Sequence, residues 1–304
     1  MRSPQPPTAP IVFDRALLVR RRDRAAACAD RHDFLLAHVA DDLADRLAVV
    51  RRTFEVTLVL GAHHGIVGRR LRALPSIRLV IEAESAPALL ARCDGPRALA
   101  DEELLPFRAE TLDLVVAPLT LQHVNDVPGA LLQIRRALKP DGLFLGVMLG
   151  GATLTELREA FLAAEAEIEG GASPRVAPFA DVRDAGALLQ RAGFALPVAD
   201  ADALTVTYAT PFDLMRELRG MGATNALAAR RRTPLARTTL MRAAEIYAER
   251  FSTPDGRVKA TFEIISMTGW SPHDSQQKPL APGSATTSLA VVLGVRERSA
   301  GKPE

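Results

Sequence analysis

Between residues 53 and 150 the chain alternates short apolar runs with longer stretches of helical period. Runs at 56–60, 77–81, 97–100, 112–117 and 143–149 have the length and apolar content of strands. Between the last two, a helix over 127–138 is predicted, with Leu131, Leu132, Ile134 and Leu138 on its inward face, and Lys139-Pro140-Asp141-Gly142 reads as the turn that follows it. Strand alternating with helix is the signature of an α/β fold whose parallel sheet carries crossover helices. Upstream, an arginine-rich helix is expected over 16–31. A second is expected over 34–50, where Phe34, Leu35, Val39, Leu43, Leu47 and Val50 recur at helical spacing.

Past residue 150 the pattern predicts a helix over 153–167, a Gly/Pro-rich loop over 170–178 and a helix over 181–192 stopped by Gly193. Two further strands, 203–208 and 259–267, enclose helices near 212–219 and 235–251. The expected divisions are a disordered tail at 1–12, a helical cap at 13–52 and an α/β domain at 53–200. Residues 201–295 continue that domain with a helical insertion carrying substrate specificity, and 296–304 form a second disordered tail.

Composition narrows the picture. A chain of 304 residues, 48% hydrophobic and 24% charged, suits one large domain, or one with a smaller subdomain. Its 38 basic and 36 acidic side chains nearly cancel, so no nucleic-acid partner is expected. Cys28 and Cys93 form neither a disulfide framework nor a C-x-x-C pattern and read as small buried residues in a reducing compartment. The longest apolar stretch, 143–149, falls far short of the roughly 20 residues a membrane-spanning helix needs. Residues 1–10 lack the apolar core of a secretory signal, which makes the cytoplasm the expected location.

The candidate chemistry gathers at the carboxyl ends of the strands. The first strand runs into Gly61-Ala62-His63-His64-Gly65 and then a helix, a turn that lets the backbone approach a ligand, although such turns are as often purely structural. Glu82, followed by Ala83, ends the second strand, where an acid can accept from both ribose hydroxyls of an adenosine cofactor. Asp101 and Glu102 follow the third strand, and Pro118 and Leu119 the fourth. Open α/β sheets bind ligands along this edge, so all these residues are predicted to line a cofactor cleft. A phosphate loop is absent and the dinucleotide G-x-G-x-x-G pattern is incomplete, which disfavours an ATPase and a dehydrogenase.

In the loop at 118–126, beside Gln122, His123 is the candidate general base or substrate orienter; a helix-start histidine without catalytic part is the alternative. His63, His64 and His123 with Glu82 or Asp126 match no known metal-ligand spacing, and no metal is expected. Arg15, Arg20, Arg21, Arg22 and Arg24 make a basic stripe, read either as a solvated helix face or as a lid over the cofactor or a face for an acidic partner. Trp270 with 271–277 either closes a groove or belongs to the core.

Phe13-Asp14-Arg15, Arg20-Arg21-Arg22-Asp23, Ala100 through Phe107, Leu112-Asp113-Leu114-Val115-Val116 and Val124-Asn125-Asp126 resemble the complex I assembly factor 5 family. Leu138 through Gly142, Gly170-Gly171, Arg191 through Phe194, Gly220-Met221-Gly222, Gly269-Trp270 and Gly283-Ser284-Ala285-Thr286 extend the resemblance over nearly the whole chain. It implies the class I methyltransferase (Rossmann-like) fold, with a mixed, mostly parallel sheet, helices on both faces, an N-terminal cap and a C-terminal insertion. The malonyl carrier-protein methyltransferases are related. Also implied are S-adenosylmethionine as cofactor and a role in maturing respiratory complex I, with a complex I subunit as protein substrate; in the eukaryotic member an arginine hydroxylation has been ascribed to the family.

The family-like arm begins at Phe13, which leaves no room for a mitochondrial presequence, and arginine greatly outnumbers lysine. A bacterial cytoplasm, with peripheral association to the inner membrane, is therefore the expectation. The chain departs from the family's Asp-x-Gly-x-Gly-x-Gly loop at Val59 and His63. Losing the acid removes a charged-group hydrogen bond of about 1.5 to 3 kcal/mol. A non-catalytic assembly factor with a degenerate cofactor loop is thus the alternative.

Overall fold

The computed structural model describes residues 11–277, together with positions 287 and 294. Residues 1–10 and 296–304 of the expected tails lie outside the described residues, as does the 283–286 motif. The chain divides into units 1–272 and 273–304. Of the second, residues 273–277 include a turn in which a His273 ring nitrogen lies 2.7 Å from Ser275 Oγ. The rest of the description concerns the first.

Seven strands form one sheet: β1 (Phe54–Leu60), β2 (Ile77–Glu84), β3 (Arg97–Leu99), β4 (Leu112–Pro118), β5 (Leu138–Leu149), β6 (Ala195–Tyr208) and β7 (Val258–Trp270). Their spatial order is β3-β2-β1-β4-β5-β7-β6. The first five pair in parallel, and β7 runs antiparallel between β5 and β6. The order reverses between β1 and β4, and ligands of open α/β sheets bind at such a switch point.

Successive residues of a strand point to opposite faces, and the buried side chains sort accordingly. Val59, Leu114, Val116, Leu143, Leu145 and Val147 pack with α2 (Phe34–Ala48), α3 (Ile66–Arg72), α6 (Thr155–Glu169), α8 (Pro211–Gly220) and α9 (Arg237–Phe251). Leu58, Leu60, Val115, Ala117, Phe144 and Met148 pack with α5 (Val127–Ala137) and α7 (Val182–Arg191). Near-continuous apolar strands covered on both faces are what a parallel sheet requires.

Several sequence expectations need adjustment. In α5 the buried face is Ala130, Leu131, Ile134 and Ala137, whereas Leu132, about 100° round the helix, is half exposed. Lys139-Pro140-Asp141-Gly142 is a bulge within β5, with Asp141 at φ 62° and Lys139 Nζ 2.9 Å from Asp113 Oδ2. β6 begins eight residues before the predicted 203, because Pro197, Asp200 and Asp202 break its apolar alternation while β7 supplies the pairing. The helix expected over 16–31 is α1 (Arg15–Ala25) followed by a 3-10 segment, Ala26–Arg31. The gap between β2 and β3 holds only a short helix, α4 (Pro87–Leu90).

Candidate functional site

Gly61 and Gly65 bound the turn after β1, at φ 75° and 85°, where a side chain is strained. A Cβ on Gly61 would stand 2.5 Å from Thr120 of the β4 turn, so glycine is also what lets the two turns close on each other. Between them His63 holds φ 50°. Its backbone N–H donates to Glu84 Oε2 at 2.9 Å, and its Nε2 lies 3.2 Å from the Pro118 carbonyl oxygen. The ring thus bridges the β1 and β4 turns, with Nε2 as the protonated nitrogen. Burial first, and Arg22 second, push its pKa down to about 3.

Glu84 is the acid at this opening. Its carboxylate accepts from the backbone N–H of His63, Ser85 and Ala86 at 2.9–3.0 Å, and burial raises its pKa although Arg22 opposes the shift. Glu82, the predicted ribose acid, points elsewhere. It is fully buried against Gly68 of α3, accepts from Gly95 N at 3.0 Å and pairs with Arg72. The prediction stopped β2 at Ile81, whereas the strand runs on to Glu84; Ser85-Ala86-Pro87 was the signal of its true end.

Helix α1 covers the acids. Arg15 donates to Asp101 Oδ1 at 2.8 Å, to Glu102 and to the His123 carbonyl at 3.0 Å. Arg22 lies between Glu84 Oε1 at 3.6 Å and Glu102 Oε1 at 3.7 Å. Burial alone would raise the Glu102 pKa, but Arg22, Arg15 and a 2.6 Å hydrogen bond from Thr120 outweigh it and bring it to about 2. The basic stripe therefore splits: Arg20 and Arg24 are exposed, Arg21 is half-buried against the Thr224 and Asn225 carbonyls, and Arg15 and Arg22, seven residues apart on one face, turn inward.

The arm before α1 explains two of the motifs. Val12 and Phe13 both donate their backbone N–H to Asn125 Oδ1 at 2.8 Å, and the Phe13 ring meets His123 edge-on at 5.6 Å. Asp14 caps α1 and pairs with Arg230 at 3.0 Å. Asn125, which the sequence reading did not single out as a site residue, is what ties the arm to the β4 loop.

Below α1 lies a cavity of about 650 Å³, within the range of small-molecule sites. Arg22, His63, Leu119, Gln122 and His123 are among its lining; Leu154, Leu157, Phe161, Met215 and Leu240 give it an apolar wall, and His32, Asp33, His64, Arg175 and Arg219 add further polar groups. Of the predicted cleft residues, His63 and Leu119 reach it with His123. Gly61, Ala62, Gly65, Ala83 and Pro118 form the turns and strand ends behind it, and Asp101 and Glu102 are held by α1. Gln122 Oε1 and His123 Nδ1 are buried without a hydrogen-bond partner. Burial, then Arg22, push the His123 pKa down to about 3, so its ring is neutral at physiological pH.

Residues 58–146, from β1 into β5, match the family model described as a methyltransferase domain. The chain is 43% identical to the mitochondrial arginine-hydroxylase NDUFAF5 of Danio rerio over 92% of this chain and 88% of that one. It belongs to the NDUFAF5 family. The human member is 42% identical over 91% of this chain and 82% of its own length. A malonyl-[acyl-carrier protein] O-methyltransferase of Halorhodospira halophila is 35% identical over 94% of this chain and 97% of that protein. The YcgJ protein of Bacillus subtilis, at 15% identity and a TM-score of 0.54, covers 78% of this chain with 99% of its own and shares the fold.

The remaining candidates have other partners. His64 turns away from His63, to Asp33 at 3.1 Å, and no group of three potential metal ligands occurs among the described residues. Trp270 ends β7 beneath the Arg52 guanidinium, 5.7 Å from its ring centre. Cys93 is buried and Cys28 partly so. Among the described residues no helix is long and apolar enough to cross a membrane.

Proposed function

We propose that this member of the NDUFAF5 family binds S-adenosylmethionine at the carboxyl edge of β1, β2 and β4 and modifies a subunit of respiratory complex I during its assembly. The observation that carries the reading is the cavity beneath α1. Two buried polar atoms there, Gln122 Oε1 and His123 Nδ1, have no partner in the protein, beside a glycine turn at positive φ and the buried carboxylate of Glu84. This set suits a nucleoside-bearing cofactor. Glu84 faces ribose hydroxyls, Gly61 and Gly65 admit close backbone approach, and the apolar wall excludes water.

When bound, S-adenosylmethionine supplies an electrophilic methyl group for in-line displacement. The chain's own part is positioning. Gln122 Oε1 can accept a hydrogen bond from the group to be modified, and His123 Nδ1 can donate or accept one according to its tautomer. With a pKa near 3, the His123 ring is neutral, so it is not an imidazolium acid and takes a further proton poorly, which favours orientation over general acid-base work. The relatives' names carry two chemistries, arginine hydroxylation and O-methylation of a carrier-bound malonyl group; the protein-subunit reading follows the relatives of higher identity. The excess of arginine over lysine supports a bacterial cytoplasm, peripheral to the membrane where complex I is built, whereas the NDUFAF5 relatives are mitochondrial by name.

Calorimetric titration tests the cofactor. The native chain binds S-adenosylmethionine, and His63→Gly, which removes the ring between the two turns, binds it several-fold more tightly. Binding by the variant but not by the native chain would make this a non-catalytic assembly factor. The substrate is tested by mass spectrometry of complex I subunits from cells with and without the gene: a subunit residue carrying a methyl group only in its presence is expected. An arginine carrying an added oxygen instead would replace methyl transfer by a hydroxylation that needs an oxidant besides S-adenosylmethionine, and identical subunits would remove the assignment.

A further inference from the structure

Three arginines of α1 point into the protein, and they differ in what their donors do. Arg15 is hydrogen-bonded to carboxylates and to a backbone carbonyl. Arg21 is hydrogen-bonded to the carbonyls of Thr224 and Asn225. Arg22 has a side chain only 5% exposed, yet it makes no hydrogen bond among the described residues. Its nearest acceptors, on Glu84 and Glu102, stand at 3.6 and 3.7 Å, beyond hydrogen-bond reach. A guanidinium has five N–H groups in a fixed fork matched to a carboxylate, and none of those of Arg22 is sealed away without a partner: the side chain lines the cavity. Arg22 lines the cavity beside His63 and His123, over the gap between the β1 and β4 turns.

Both negative charges near Arg22 are already answered. Glu84 accepts three backbone N–H groups, and Glu102 accepts from Thr120 and Arg15. The position where related loops carry an acid is Val59, fully buried in the core between the sheet and its covering helices. The cleft thus offers an uncommitted cation and no acid at the customary place.

Building on the cofactor reading above, we infer that Arg22 takes the α-carboxylate of the cofactor's methionyl end, and that the site selects its cofactor by that carboxylate rather than by the adjacent ammonium. The fork leaves its loose approach to Glu84 and Glu102 for a bidentate hold on the ligand, freeing Glu84 to meet the ribose.

The full chain is titrated by calorimetry with S-adenosylmethionine, its decarboxylated analogue and its deaminated analogue. Native protein is expected to lose about tenfold to a hundredfold in affinity for the decarboxylated ligand, the scale of a charge-assisted hydrogen bond, and no more than a few-fold for the deaminated one. In Arg22→Gln, S-adenosylmethionine should weaken by a similar factor and the preference for the carboxylate disappear; Arg22→Lys should keep part of it. Equal affinity of native protein for the carboxylated and decarboxylated ligands overturns the assignment without needing a variant, and so does a preference that survives in Arg22→Gln. Failure of native protein to bind any of the three defeats the cofactor reading, and this assignment with it, which sets that outcome apart from the other two.

Discussion

His63 and His123 are held neutral by burial at the sheet edge, and this links folding to pH. Their folded pKa values, about 3, lie below the unfolded value of 6.5. Below pH 6.5 the unfolded chain therefore binds protons that the folded chain refuses, so the stability these residues contribute is complete above that pH and is lost as pH falls toward 3. Glu84, with its pKa raised, works the other way, losing stability as pH rises through its folded pKa, while the depressed Glu102 adds to acid sensitivity only below about 4.5. Between pH 7 and 5 the two histidines should together remove on the order of 4 kcal/mol. Urea unfolding at both pH values checks this. A His63→Asn, His123→Gln double variant should show a much flatter dependence, and a slope as steep as the native one would contradict the assignment. Asn suits position 63 because it tolerates positive φ. At this scale the sequence located the turn and both histidines but misplaced the acid. A side chain's partners depend on where its strand ends, and two residues separate Glu82, against α3, from Glu84, at the cleft.

Most elements were legible because apolar period and strand length are local properties. The role of α1 was not, since an arginine stripe looks the same whether it meets water or carboxylates contributed by distant strands. The spacing of Arg15, Leu18, Arg22 and Ala25 did mark one face, and all four turn inward. What holds α1 there includes the Gly220-Met221-Gly222 turn after α8. Gly222 has φ 72°, and a Cβ on it would lie 3.1 Å from Arg22 Cα. Gly170 has nearly the same φ, 68°, with nothing within 4 Å of its virtual Cβ. Gly170→Ala should therefore cost about 1 to 2 kcal/mol of backbone strain alone. Gly222→Ala should cost roughly 1 kcal/mol more, because backbone of α1 must give way. It should also weaken S-adenosylmethionine binding, which Gly170→Ala leaves unchanged. Chemical denaturation with calorimetry compares them; equal stability losses would mean that the turn does not brace α1.

The boundary drawn at residue 200, within one continuing domain, falls inside β6. β6 and β7, from the C-terminal third, extend the sheet begun by β1, and α6, α8 and α9 share one hydrophobic cluster with α2 and α3. The sequence assigned this segment to the same domain but not its place in the sheet, because a strand's local pattern does not say which distant neighbour it pairs with. The single tryptophan, Trp270, makes the point testable: it ends β7 and pairs with Leu143 of β5 and Ala195 of β6, far in sequence from the glycine turn after β1. Chains of this length often unfold in steps, so coincidence is informative. Tryptophan fluorescence and far-UV circular dichroism should give the same thermal midpoint. S-adenosylmethionine at a hundredfold excess over Kd contributes about 2.7 kcal/mol to a one-site protein, which should raise both midpoints together by roughly 4 °C. A fluorescence midpoint that stays put while the dichroism midpoint moves would show β7 unfolding independently of the cofactor edge, and the shared core would then not couple them.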